Sequence, residues 1–249
     1  MTINLIGAGT VLFLGSLLQG AVGFGFGLFA IPILVWVGVR LSEAVAIVSV
    51  SIFIQVLVAT YQLRRDVLWR QVLPATLIRY LTIPIGITVL LAIDTPDKTQ
   101  AKQVLGILLL LILLAQLLVK VEPRDDLHPG WMVLAFSCSG VMHGMAAMGG
   151  PAAVLWVMAH RWSNRQTRAF LASLFMLAAP LQLTLLYFLS KGDILGALLS
   201  GLIFAPVVAL GSTLGVRLGN LIPEHRLRQI AYGILLVTAL ASIMAPLIG

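Results

Sequence analysis

Ten apolar segments separated by short polar stretches leave this chain of 249 residues one solvent in which to fold. They run at about 3–18, 24–38, 43–63, 67–92 and 98–119, and then, after the polar break 120–129, at about 131–142, 149–160, 167–189, 193–218 and 226–247. With 60% hydrophobic residues, 10% charged residues and a mean hydropathy of +1.05, the chain is far too apolar for a soluble domain. Hydrocarbon offers the backbone no hydrogen bonds, so an all-α, polytopic membrane protein follows. The first apolar segment has no basic stretch before it and no small-residue cleavage site after it, so it reads as part of the mature protein and not as a signal peptide.

Two glycine-rich stretches interrupt these segments. The first is Gln19-Gly20-Ala21-Val22-Gly23-Phe24-Gly25-Phe26-Gly27, and the second is His143-Gly144-Met145-Ala146-Ala147-Met148-Gly149-Gly150-Pro151. Glycine in an apolar helix is costly unless something must approach the backbone, so each stretch predicts a broken or re-entrant helix near the membrane midplane. The two align as an internal repeat, Gln19 on His143, Gly20 on Gly144 and Gly25 on Gly149. At a register three residues longer, Gln55 falls on Gln182, Asp66 on Asp193, Pro96 on Pro223 and Gly106 on Gly233.

The division is therefore a first transmembrane repeat over 1–122, an inter-repeat loop over 123–130 and a second repeat over 131–249. Five segments per repeat is an odd number, so the second repeat enters the membrane in the opposite sense. Such two five-segment inverted-topology repeats are the plan of many secondary transporters, whose substrate sits near the midplane between repeats. A duplication serving only packing is the alternative. Arg64, Arg65, Arg70, Lys120, Arg124, Arg161, Arg165, Arg168, Arg226 and Arg228 fall on one side, against Arg40, Lys98, Lys102 and Lys191 on the other. The positive-inside rule makes the first side cytoplasmic and puts both termini outside.

A helix that begins within the membrane presents unpaired N–H groups and the positive end of its dipole, which favour an anion. Gly23, Gly25, Gly27, Gly149 and Gly150 would keep the path to those groups clear, and Pro151 suits a first helical turn. Close helix packing by small residues is the competing explanation for these glycines and for Gly20 and Gly144. Gln19 and His143 stand at equivalent places before the two breaks, and each can donate to an oxyanion. His143 can also carry a proton, which leaves proton coupling open beside a plain capping role. Gln55 and Gln182 lie in mid-segment, where they line the same site or join helices by hydrogen bonds. Arg79, with no acidic residue in its own segment, is a candidate pore cation or a snorkelling side chain. Asp66 and Asp193, at segment starts, read as acidic groups offsetting a helix dipole.

One cysteine, Cys138, excludes an intramolecular disulfide and a paired-cysteine metal or redox site. A net charge of +7 resides in short loops, which fits topology and contact with anionic membrane lipids and not nucleic acid. No nucleotide-binding P-loop and no metalloprotease or serine-hydrolase motif is present, so no catalytic residue, metal or cofactor is assigned.

The pattern from Gln19 through Gly27 with Pro32 downstream, followed by His143 through Pro151, resembles the sulfite exporter TauE/SafE family of membrane proteins. The resemblance extends over essentially the whole chain. It implies an inner-membrane secondary transporter that exports sulfite or an organosulfonate, not an enzyme. A passive anion channel, or an importer of a related oxyanion, is the nearer alternative, and a membrane enzyme or assembly factor using His143 the more distant one. Oligomeric state is left open.

Overall fold

The computed structural model describes residues 5–94, 98–118, 121–123 and 127–221, with positions 229, 232–233, 236–242 and 244 beyond them. Among these residues every regular element is a helix. The first half contains α1 (Leu5–Val22), α2 (Phe26–Trp36), α3 (Leu41–Gln62), α4 (Trp69–Ile93) and α5 (Lys98–Leu118). The second contains α6 (Pro129–Ala146), α7 (Gly150–Met158), α8 (Asn164–Leu189), α9 (Leu195–Ile203) and α10 (Ala205–Leu221). The expected segment at 226–247, with Arg226 and Arg228, falls largely outside the described residues, as do Pro96, Pro223, Lys120 and Arg124.

Helices α3, α4 and α8 are each long and apolar enough to cross a membrane. The segment expected at 193–218 is not one straight helix: α9 and α10 meet at 53°. Pro206 explains the bend, because it lacks an N–H and its ring clashes with the carbonyl one turn earlier. The α9–α10 pair together forms a fourth candidate span.

Both glycine stretches are sharp reversals between a long helix and a short one. α2 has 11 residues and α7 has 9, whereas α1 and α6 have 18 each. Gly23 (φ 92°) and Gly25 (φ 107°) take left-handed backbone that L side chains avoid, and this turns the chain after α1. The second reversal uses Ala147 at φ 51° instead, and Ser139 Oγ donates to Gly149 O at 2.6 Å across the hairpin. α2 returns along α1, so that a Cβ on Gly15 would strike the Phe26 ring.

α1 and α6 run one turn further than the sequence suggests, which places Gly20 and Gly144 inside helices. The cause is close helix packing. A Cβ on Gly20 would lie 2.5 Å from Ser212 O on α10, and one on Gly144 would lie 3.1 Å from Gly86 Cα on α4. Gly211, Gly215 and Gly219 of α10 continue the first seam, and Gly140 and Gly86 belong to the second.

The two most extensive helix pairings exchange partners between halves: α4 packs on α6, and α10 packs on α1. α3 and α8 also pack together, and an ion pair joins them at each end. Arg40, beside the start of α3, reaches Asp193 beyond the end of α8 at 2.7 Å. Arg165, at the start of α8, reaches Asp66 beyond the end of α3 at 3.0 Å. The two helices are therefore antiparallel. Asp66 and Asp193 do not serve as helix amino-terminal groups, because each is turned toward an arginine of the other half. The hydrogen bond from Arg40 to Asp193, with help from Glu43, raises the Arg40 pKa above its already high ordinary value. Pairs this exposed add little stability, about 0–1 kcal/mol, and serve mainly to fix register.

Candidate functional site

The tips of the two hairpins meet at the centre of the molecule. A Cβ added to Gly27 would stand 2.6 Å from Ala147 O, and one added to Gly150 would stand 3.1 Å from Phe24 Cβ. Glycine is needed at these positions for close approach. Gly25, Gly27, Gly150 and Pro151 line a small cleft between the tips, with Gln19, Met148 and Phe175 among the other residues of its wall. The amino ends of α2 and α7 thus lie side by side.

Gln19 sits in the last turn of α1, and its side-chain oxygen accepts the Phe26 N–H at 3.3 Å, satisfying the first donor of α2. Its amide NH2 is left to the adjoining cavities, both of which it borders. Gln55 donates from Nε2 to Ser16 O at 3.3 Å and borders the second of these cavities, and its oxygen is buried without a partner. Gln182 donates to His143 O at 2.7 Å and also keeps an unpartnered oxygen. The two glutamines therefore hold equivalent first helices of the two hairpins, with a free acceptor on each.

His143 occupies in α6 the place of Gln19 in α1, but both of its ring nitrogens are buried without a hydrogen bond among the described residues. Its ring packs at 5.5 Å from Phe175. Arg79 lies beside it, 0% exposed, held by a 3.3 Å bond from Nη1 to Leu174 O and by the face of Phe175, 5.0 Å from the guanidinium carbon. Its Nε and Nη2 have no partner among the described residues. The side chain does not snorkel: it turns inward among α4, α6 and α8. Gly149 makes room for it, since a Cβ there would stand 3.0 Å from Arg79 Nη2 and 2.5 Å from Ser139 O. No carboxylate pairs with Arg79 among the described residues.

A wider cavity of about 100 Å³ adjoins the cleft through Gln19 and Phe175, and it also contacts Gly20, Gly23, Gln55 and Arg168. It shares Arg168 and Gln62 with a larger vestibule that reaches Asn164 and Arg165. Arg168 donates from Nη2 to Gly20 O at 2.9 Å and Ala21 O at 3.3 Å, so a cation covers the freed carbonyls at the end of α1.

The arrangement thus brings Gln19, Gly23, Gly25, Gly27, Gln55, Gly150 and Pro151 around connected cavities, and gathers Arg79, His143, Gly149 and Gln182 in a buried polar cluster behind Phe175. Gly20 and Gly144 lie at helix seams, although Gly20 also touches the wider cavity. Phe175 carries no signal of its own in the sequence reading, and Arg168 enters it only as a charge that sets topology. Both are spaced in steps of seven from Gln182 on α8, which places all three on one helical face, and that spacing is the signal that finds them.

Comparison with curated proteins and with solved structures yields no match. A family model described as sulfite exporter TauE/SafE matches residues 8–242. Apolar helices, polar groups gathered at two broken hairpins and a match over nearly the whole length agree: the chain is a multi-pass membrane protein that belongs to the sulfite exporter TauE/SafE family of transporters.

Proposed function

We propose that the protein exports a small sulfur-containing anion, sulfite or a short organosulfonate, across the inner membrane by alternating access around the two hairpin tips. The anion site comprises Arg79 and His143 with Gln19, Gln55, Gln182, the amino ends of α2 and α7, and the glycines that clear them, Gly23, Gly25, Gly27, Gly149 and Gly150.

The observation that carries this reading is Arg79. A buried guanidinium, with two nitrogens unpartnered and no carboxylate beside it among the described residues, is a costly arrangement that an anion relieves. The amino end of α7 begins beside Arg79 at Gly149, and that of α2 lies at the neighbouring cleft; the aligned N–H groups of both favour the same charge. Oxyanions such as sulfite and sulfonates present several acceptor oxygens, matching the donors of Arg79, His143 and Gln19.

Two inverted repeats, 1–122 and 131–249, are the framework of this mechanism. The exchanged pairings of α4 with α6 and of α10 with α1, and the antiparallel α3 and α8, support it. The excess of arginine near the vestibule, with Arg64, Arg65, Arg161 and Arg165 on that side, argues for a cytoplasmic mouth and extracytoplasmic termini. His143 carries the coupled proton when transport is proton-driven.

Saturable counterflow of labelled sulfite in proteoliposomes tests the transporter reading. Flux that rises linearly with concentration and shows no acceleration by sulfite on the far side would instead identify a channel.

A further inference from the structure

Phe175 divides the polar interior in two. On its vestibule side the ring borders both the cleft at the hairpin tips and the wider cavity, together with Gln19. On its other side it covers the Arg79 guanidinium at 5.0 Å and the His143 ring at 5.5 Å. Unpartnered polar atoms occur on both sides: Gln55, whose Oε1 lacks a partner among the described residues, lines the wider cavity, whereas Arg79 Nε and Nη2, both His143 nitrogens and Gln182 Oε1 belong to the buried cluster.

Helix α8 supplies a track between the two compartments. Arg168, Phe175 and Gln182 succeed one another at intervals of seven residues, about 10 Å of rise per step. Arg168 touches both the vestibule and the wider cavity. Phe175 stands at the partition, and Gln182 bonds the helix that carries His143.

We propose that Phe175 is the gating residue of the transport path, a ring that screens Arg79 and His143 until an anion gathered near Arg168, Gln19 and Gln55 displaces it. This rests on the reading of Arg79 as the anion site and adds the step by which that site is reached. An aromatic ring suits the task. Its face stabilises the buried guanidinium by a cation–π contact while no anion is there, and one rotamer change removes the screen. The anion then replaces the ring as the partner of the cation.

The test uses the full chain with Cys138→Ser, so that the thiol introduced by His143→Cys is the only one, reconstituted and treated with a small anionic methanethiosulfonate. With Phe175 in place modification is slow. Phe175→Ala accelerates it by roughly tenfold or more, and Phe175→Trp slows it further. Equal rates in all three, each eluting as folded protein in size exclusion, overturn the gate. Sulfite binding by Arg79→Gln is measured alongside with Phe175 and His143 unaltered. Binding lost there with labelling rates unmoved by Phe175 removes the gate alone, whereas binding kept there removes the Arg79 site itself.

Discussion

Gly27 and Ala147 touch where the two hairpins meet, with room for no side chain between the glycine Cα and the alanine carbonyl. Each comes from a different half of the chain, so the centre of the protein exists only when both hairpins are seated. Gly27→Ala should push the tips apart by placing a Cβ 2.6 Å from Ala147 O, and uptake assays in proteoliposomes should show strongly reduced sulfite flux. Gly196→Ala is the control, because a Cβ there meets nothing within 4 Å and should leave flux unchanged. Equal flux in the two variants contradicts the role of the tip contact.

Gly25 and Gly149 fail for different reasons when enlarged. At Gly25, φ of 107° makes any L residue strained, and Gly25→Leu should cost about 1–2 kcal/mol of stability besides blocking the cleft. Gly149 has an ordinary φ of −69°, but a Cβ there collides with Ser139 O and crowds Arg79 Nη2. Gly149→Leu should therefore abolish anion binding by displacing the guanidinium. Unchanged affinity in both variants would remove the hairpin tips from the site.

Arg79 gives a prediction with opposite signs for stability and function. A buried cation without a carboxylate destabilises the empty protein, so Arg79→Met should raise its melting temperature, by roughly 1 kcal/mol or more in stability, while sulfite binding is lost. A lower melting temperature with binding intact would mean that Arg79 serves the fold.

His143 and Gln19 hold equivalent places but differ in what remains to be bonded. The Gln19 oxygen is taken up by Phe26 N–H, whereas both nitrogens of His143 are open. His143→Gln should keep sulfite binding within a few fold while uncoupling accumulation from a proton gradient, read by following pH inside the vesicles. Proton-driven accumulation in this variant at the wild-type level excludes His143 as the carrier.

At the vestibule, Arg168→Gln should raise the sulfite concentration for half-maximal export while sparing the maximal rate, with a weaker dependence on salt. A fall in maximal rate alone would point to its bonds with Gly20 O and Ala21 O instead.

Much of this was legible in residue order. The apolar segments as far as residue 218 foretold helices, and the paired glycine stretches foretold two breaks; that the two tips touch is seen only in the fold. Other features depend on neighbours that no local pattern reveals. Gly20 and Gly144 look like members of the breaks, yet they lie one turn inside helices because α10 and α4 press on them. Asp66 and Asp193 sit where a helix start is expected, but arginines from the other half claim them. The bend at Phe204 could be read from Pro206, although Pro74 and Pro84 interrupt α4 without splitting it. Phe175 escaped notice because a phenylalanine in an apolar helix carries no signal until its seven-residue spacing from Gln182 is weighed.

On the proposed reading a small sulfur oxyanion is held at Arg79, beside Gly149 and behind Phe175. Calorimetric titration of sulfite into the purified protein, beside Arg79→Gln, checks this. Saturable binding by the wild type, weakened by at least roughly thirtyfold in the variant, is the predicted result. Equal affinity in both proteins would contradict it.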